Sequence, residues 1–289
     1  DKDCDLVILG GGPGGYSAAI RARQLGLSVV LVEKEKLGGV CLNWGCIPTK
    51  ALLNSAETWE ILEGIDSRGI VVDKATFDWN KMIANSREVS EKLSSGIVYL
   101  MKKNEVEVYK GVGRISPLGH VEVSDSKGEK MSVIRSQNII ISTGSRPRSL
   151  TDINIDGELV LSSRHAMELT ECPNSLAIIG AGAIGIEFAY FFNSFGCNVT
   201  LLESANQLLP LEDPEVADLL ADLLGKKGID IITGVKVSGL EIIGDKGCLS
   251  FGRGGKENTL SVDKVLMAVG VEGLSEGIGL EALGVRKNN

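Results

Sequence analysis

Histidine is nearly missing from this 289-residue chain: the only two are His120, in PLGHVEV, and His165, in SSRHAMEL. Zinc sites take four ligands, usually as paired Cys or His, so isolated histidines argue against a resident metal. Basic runs are missing too. A formal net charge of −8 without a Lys/Arg cluster disfavours nucleic acid or an anionic membrane as partner, and points to small molecules or proteins. No apolar stretch approaches the roughly 18 residues of a membrane span. A glycine loop already begins at Gly10, leaving no room for a signal peptide, so the expected compartment is the cytosol.

What the chain does have is glycine, 36 in all, with 43% apolar residues. That length and composition support a substantial core and two domains rather than one. Of six cysteines, only Cys41 and Cys46, in GGVCLNWGCIPTK, have motif-like spacing. In a reducing compartment a close pair is more often catalytic or metal-binding than structural. The other four, Cys4, Cys172, Cys197 and Cys248, read as buried small apolar residues.

An internal repeat organises the chain. Residues 6–34 align without a gap on 176–204, with ten of 29 positions identical. Gly10, Gly12, Gly15, Gly26 and Glu33 face Gly180, Gly182, Gly185, Gly196 and Glu203. Each copy reads as strand, glycine turn, helix and second strand ending in glutamate, a βαβ dinucleotide-binding unit. The first glycine allows the tight turn, the second lets backbone approach pyrophosphate, and the third packs helix on strand. The glutamate would take a ribose diol. At Glu203 a carboxylate repels a 2′-phosphate, and no Lys or Arg occurs from Phe188 to Gly225, so NAD is expected over NADP.

The cysteine pair follows the first loop and precedes the second, which predicts electron traffic between a thiol pair and two nucleotide cofactors. Bridging Cys41 to Cys46 requires a curled segment, because extended chain would hold them roughly 17 Å apart. Asn43 and Gly45 suit the curl, and Pro48 predicts a helix beginning near Cys46 with Lys50 on the same face. The helix dipole would favour a thiolate at its start. Residues 79–103 read as a helix packing through Val89, Leu93, Ile97, Leu100 and Met101. Residues 106–142 suggest a small sheet leading to the turn Thr143, Gly144, Ser145. Residues LEDPEVADLLADLLGKKGI form an acidic amphipathic helix, and Gly244-Asp245 reads as a hairpin turn.

These runs, above all GGVCLNWGCIPTKALL, with GAGAIGIE and STGSRP, resemble the pyridine nucleotide-disulfide oxidoreductases over about residues 4 to 285. The resemblance implies an α/β fold of two Rossmann-like, three-layer FAD- and NAD(P)-binding domains, at 1–150 and 151–275, with 276–289 returning toward the first. It implies FAD on Gly10, Gly12, Gly15 and Glu33, with Gly113, Thr143, Gly144 and Ser145 as further flavin contacts. It implies NAD on Gly180, Gly182, Gly185, Glu187 and Glu203, with Val237 and Gly270 as later contacts. Cys41 would be the interchange thiol and Cys46 the flavin-facing thiol of a redox disulfide, and Lys50, near the flavin, would pair with Glu187.

The implied reaction is oxidation of a protein-bound dihydrolipoyl group with reduction of NAD. Its partners would be a lipoyl-bearing carrier within a 2-oxo acid dehydrogenase or glycine cleavage complex, in the cytoplasm or a mitochondrial matrix. Alternatives are another FAD disulfide reductase, or a non-catalytic nucleotide-binding or docking module. Family members continue past Asn289 into a C-terminal interface domain, through which they homodimerise and whose His-Pro-Thr-x-x-Glu run supplies a base. Neither histidine here matches that run, so a truncated, poorly active form is expected. AVGVEG at 268–273 also departs from relatives that carry arginine after the glycine.

Overall fold

The computed structural model describes residues 1–117 and 119–287; the last two residues of the expected 276–289 tail lie outside them. Two compact units form, each with its own cores. The first contains residues 1–47, 88–146 and the segment from 273 onward; the second contains 48–87 and 147–272. The sequence reading puts 48–87 in the first domain, but these residues pack in the second unit. Leu52, Ala56 and Trp79 share a core there with Phe188, Phe191 and Phe192.

In chain order the elements are β1 (Lys2–Leu9), α1 (Pro13–Gln24), β2 (Val29–Glu33), α2 (Gly39–Trp44), α3 (Cys46–Glu63), α4 (Trp79–Lys103), β3 (Glu107–Lys110), β4 (Val112–Ile115), β5 (Val121–Ser124), β6 (Lys130–Ile141) and β7 (Ser145–Pro147). There follow β8 (Val160–Leu161), α5 (Ser163–Ala166), β9 (Ser175–Ile179), α6 (Ala183–Ser194), β10 (Asn198–Leu202), α7 (Pro214–Lys226), β11 (Asp230–Ile232), β12 (Lys236–Ile243), β13 (Lys246–Arg253), β14 (Lys256–Val262), β15 (Lys264–Met267) and β16 (Val271–Gly273).

The first unit's sheet runs β3-β2-β1-β6-β5-β4. Strands β3, β2, β1 and β6 are parallel, and β5 and β4 continue antiparallel. Alternation along β1 sorts its apolar run between two faces. Leu6 and Ile8 pack with Ala19, Ala22, Ile97 and Met101, while Val7 and Leu9 pack with Ile115, Val121, Val123, Ile134, Ile278 and Leu280. Each such side chain contributes roughly 1.5–3 kcal/mol by burial. The strands expected in 106–142 form, and they extend this sheet. The 12-residue β6 pairs with β5 over its first half and with β1 over its second.

The second unit's sheet, β11-β10-β9-β15-β8, is parallel throughout. Leu176, Ile178, Leu201 and Leu266 face the aromatic side of α6. Ala177, Ile179, Val265 and Met267 face Leu249, Phe251 and Val262 of the antiparallel β12-β13-β14 sheet. The hairpin at Gly244-Asp245 forms as expected, with Gly244 at φ 63°. The second unit thus has three layers, helices, a parallel sheet and an antiparallel sheet, while in the first the antiparallel strands continue the parallel sheet and share a core with its second face.

Helix α4 has the bounds read from sequence, but its buried stripe is rotated. Leu93 is 44% exposed, and Ser86, Ser90 and Ser94 are buried in line with Ile97 and Met101. Two of the serines bond to backbone: Ser86 Oγ donates to the Ile83 carbonyl within the helix at 2.7 Å, and Ser94 Oγ donates to the Leu37 carbonyl outside it at 2.8 Å. Small, self-satisfied side chains can occupy a tight helix face where leucine would be too large.

Candidate functional site

The two glycine loops are built alike. Gly10 and Gly180 sit at φ 100° and 103°, a region that favours glycine. A Cβ on Gly10 would collide with the Ser142 carbonyl, and one on Gly180 with that of Ala268. The third glycines, Gly15 and Gly185, press against the carbonyls of Gly10 and Gly180. No side chain larger than hydrogen fits at these positions.

Helices α1 and α6 start just after Gly12 and Gly182, which are N-caps with φ −75° and −74°. Neither start has a side-chain cap or an acidic residue in its first turn. By contrast α7 is capped by Asp213 and carries Glu215. The exposed amides and positive dipole ends of α1 and α6 suit an anion.

Glutamates close both loops. Glu33 accepts from Gly11 N–H at 2.6 Å and Glu35 N–H at 2.7 Å. Glu203, only 7% exposed, accepts from Ala181 N–H at 2.7 Å and Ala205 N–H at 2.8 Å. These bonds leave lone pairs for a ribose, since a carboxylate has about four acceptor sites. Beside Glu33 opens a cleft of about 280 Å³, bordered by Lys36, Leu37, Glu91, Ser94 and Lys110.

The cysteine segment is seated on the first loop. Gly38 N–H donates to the Gly11 carbonyl at 2.8 Å. Gly38 and Gly39 adopt φ 102° and 62°, and a Cβ on Gly39 would lie 2.6 Å from Gly12 Cα. The chain then makes the short helix α2, which carries Cys41, breaks at Gly45 and restarts as α3 at Cys46. A Cβ on Gly45 would stand 3.0 Å from the Val40 carbonyl and 3.4 Å from Cys41 Cα, so the break folds back on the Cys41 turn. The expected curl is thus helical. Asn43 is buried and its amide donates to the Leu37 and Gly39 carbonyls, both at 3.0 Å. Cys41 is half-buried and Cys46 exposed.

Lys50 and Glu187 pair at 2.6 Å, Lys50 the more exposed. The same face of α3 meets α6 again at Glu60, which accepts from Tyr190, Ser194 and Lys227 at 2.8–2.9 Å. Burial works against the Glu60 charge, yet these bonds outweigh it and hold its carboxyl below the usual range. Burial and the Glu60 carboxylate push Tyr190 up to about 12.

The remaining predicted positions are spread wider. Thr143 Oγ1 donates to the Leu274 carbonyl, and Leu274 N–H donates to that of Gly144 at 2.9 Å. Ser145 opens β7. Gly113 lies in β4, where a Cβ would strike Leu9 Cδ2, so packing alone accounts for glycine there. Val237, in β12, packs on the core of the second unit. Gly270, at φ 103°, accepts from Arg148 N–H at 3.0 Å. Sequence reading missed Ser94, Leu274 and the docking role of Gly38 and Gly39. The doubled glycine ahead of Cys41 was the available signal for the last.

Two glycine loops with uncapped helix starts and a cysteine pair seated on one of them are the features expected of a nucleotide-dependent disulfide oxidoreductase family. The family model for the pyridine nucleotide-disulphide oxidoreductases matches residues 4–289, and the chain belongs to that family. Its members use FAD and NAD(H).

The dihydrolipoyl dehydrogenase of Zymomonas mobilis is 44% identical over 284 residues, 98% of this chain and 60% of that protein. That of Acholeplasma laidlawii is 38% identical over 289 residues, covering 82% of its length. Among solved structures, the Cu(II) complex of the HOCl-induced flavoprotein disulfide reductase RclA from Escherichia coli matches all of this chain and 61% of that one. Its TM-score is 0.83 and its identity 28%. The chain spans about 60% of the length of most of these relatives. Among the described residues no helix is long and apolar enough to cross a membrane, and no cluster of three potential metal ligands occurs.

Proposed function

We propose that this chain carries the FAD, NAD and redox-disulfide portion of a dihydrolipoyl dehydrogenase, oxidising a dihydrolipoyl group with NAD as acceptor. The observation that carries the reading is the seating of Gly38 and Gly39 on Gly11 and Gly12. It ties the cysteine segment to a loop shaped for a nucleotide pyrophosphate.

The residues fit both cofactors. FAD would rest on Gly10 to Gly15 and Glu33, with the cleft beside Glu33 receiving its adenosine end and the turn at Thr143, Gly144 and Ser145 nearby in the same unit. NAD would rest on Gly180 to Glu187 and Glu203, with Val237 and Gly270 farther along. The Glu203 carboxylate and the lack of cations from Phe188 to Gly225 select against a 2′-phosphate. Bound FAD supplies a two-electron relay between the cysteine pair and NAD.

A dihydrolipoyl thiolate attacks Cys41 of the Cys41–Cys46 disulfide, forming a mixed disulfide and releasing Cys46 as a thiolate. The second substrate thiol, on losing its proton, displaces Cys41. The substrate leaves as the cyclic disulfide and its electron pair stays on the cysteines. Cys46 opens the 18-residue α3 and is exposed. Lys50, one turn on, is held by Glu187. His165 is committed to the capping box of a short helix, with Ser162, and is not the base for the substrate thiols. The proposed partner is a lipoyl-bearing carrier of a 2-oxo acid dehydrogenase complex.

The test is visible absorption of the FAD-loaded chain during addition of dihydrolipoamide, with NAD+ and NADP+ compared as acceptors. Loss of oxidised-flavin absorbance in the wild type, absent in Cys41→Ser and Cys46→Ser, and reoxidation by NAD+ are expected. Reduction that survives both substitutions, or a strict preference for NADP+, overturns the reading.

A further inference from the structure

A second cysteine pair lies in the second unit, outside the elements assigned to cofactors. Cys172 sits in the loop between α5 and β9, and Cys197 directly precedes β10. Parallel pairing puts Ser175 opposite Asn198, and Asn198 N–H donates to the Asn174 carbonyl at 2.9 Å. Cys197 is thereby drawn alongside the 172–174 segment. Cys172 packs on the core cluster that contains Cys197. Sulfur contacts to the Pro173 and Asn198 carbonyls, at 3.7 and 3.8 Å, are long and weak.

The two members are unequal. Cys197 is 2% exposed, whereas Cys172 is half-buried. The interaction with Cys197 lowers the Cys172 thiol below its ordinary value, against the opposing effect of burial. The interaction with Cys172, then burial and the charges of Cys172 and Asp263, push the Cys197 thiol up. A more accessible sulfur beside a buried one is the arrangement of an attacking and a resolving thiol.

We propose that Cys172 and Cys197 form a second dithiol, oxidised by hydroperoxides and closed to a disulfide through a sulfenic acid on Cys172. The Cys172 thiolate attacks one peroxide oxygen, the O–O bond breaks, and hydroxide leaves and takes a proton to become water. The Cys197 sulfur then attacks the sulfenic sulfur. The S–S bond forms, the S–O bond breaks, and the Cys197 proton leaves with the hydroxide as a second water. Two thiols are oxidised and one peroxide reduced.

The chain is reduced, freed of small thiols, exposed to hydrogen peroxide, blocked with iodoacetamide in denaturant and cleaved after glutamate. Cleavage after Glu171, Glu187 and Glu203 puts Cys172 on residues 172–187 and Cys197 on 188–203. The expected result is loss of both alkylated peptides and recovery of the cross-linked pair. In Cys197→Ser the cross-link is replaced by a dimedone adduct on Cys172. Retention of both alkylated peptides at untreated levels, while Cys41 and Cys46 oxidise in the same sample, overturns the proposal. So does a disulfide joining either residue to another cysteine. The wild-type map decides the matter even if a variant fails to fold.

Discussion

The first and second glycine loops differ less in their own geometry than in what the chain does after them. Both third glycines press on the carbonyl of the first, and both glutamates hold the amide after the first glycine and the amide two residues beyond themselves. Both loops are also met from downstream: Gly38 N–H reaches the Gly11 carbonyl at 2.8 Å, and Leu209 N–H reaches that of Ala181 at 2.9 Å. The structural repeat thus runs past the point where sequence identity ends. Beyond it the copies part. In the first, Gly39 closes on Gly12 and the cysteine helices follow. In the second, Leu209 is at φ 45°, a proline comes next, and α7 follows, while a Cβ on Gly182 would meet nothing within 4 Å. One loop seats the cysteine helices and the other leaves its middle glycine open.

The largest effect that can break this comparison is steric. Gly15→Ala and Gly185→Ala each drive a methyl into a backbone carbonyl that cannot swing aside, costing more than the roughly 1–3 kcal/mol of ordinary overpacking. Flavin content should collapse in the first variant, and NADH binding, followed by fluorescence titration, in the second. If each variant loses both cofactors equally, the loops are not independent sites.

A smaller effect separates the glutamates. Glu203→Ala leaves the Ala181 and Ala205 amides short of an acceptor in a buried place, about 1–3 kcal/mol for each unsatisfied group. Glu33→Ala, in a half-buried place that water can reach, should cost less. Urea unfolding midpoints of the two variants check the order.

The smallest effect concerns α6, whose Tyr190 has Ile20 as its counterpart in α1. Burial and Glu60 raise Tyr190 from 10.0 to about 12, so the folded state keeps a proton that the unfolded state gives up. That stability is complete below pH 10.0 and declines as pH rises toward about 12. Glu60 works in the opposite sense: its lowered value gives stability above 4.5 that is lost in acid. Tyr190→Phe should flatten the alkaline decline in thermal melts; an unchanged decline would assign it to another group.

Much of this was legible in the residues. The βαβ repeat follows from glycine spacing and apolar runs, because those positions tolerate only hydrogen and both sheet faces are buried. The helix start near Cys46 was readable from Pro48, whereas the Lys50–Glu187 pair came only from the family resemblance. Less was visible where small polar residues take core positions. In α4, Ser86, Ser90 and Ser94 hide on a face that periodicity assigned partly to Leu93, since a serine bonded to backbone needs no apolar signature. The grouping of 48–87 with the second unit rests on aromatic packing around Trp79 and α6, which sequence distance conceals. Likewise the extension of the first sheet depends on one long strand shared by two pairing directions, which local pattern cannot report.

The glutamate bonds carry a consequence for the kinetics of cofactor capture. Glu33 and Glu203 anchor their loops with two backbone amides apiece, so the turn proposed to receive a pyrophosphate is held in shape by the protein's own bonds. A dinucleotide then meets a finished surface, and little backbone freedom remains to be lost on association. With each loop held ready in this way, capture of the proposed ligand is expected to be set by encounter rather than by rearrangement.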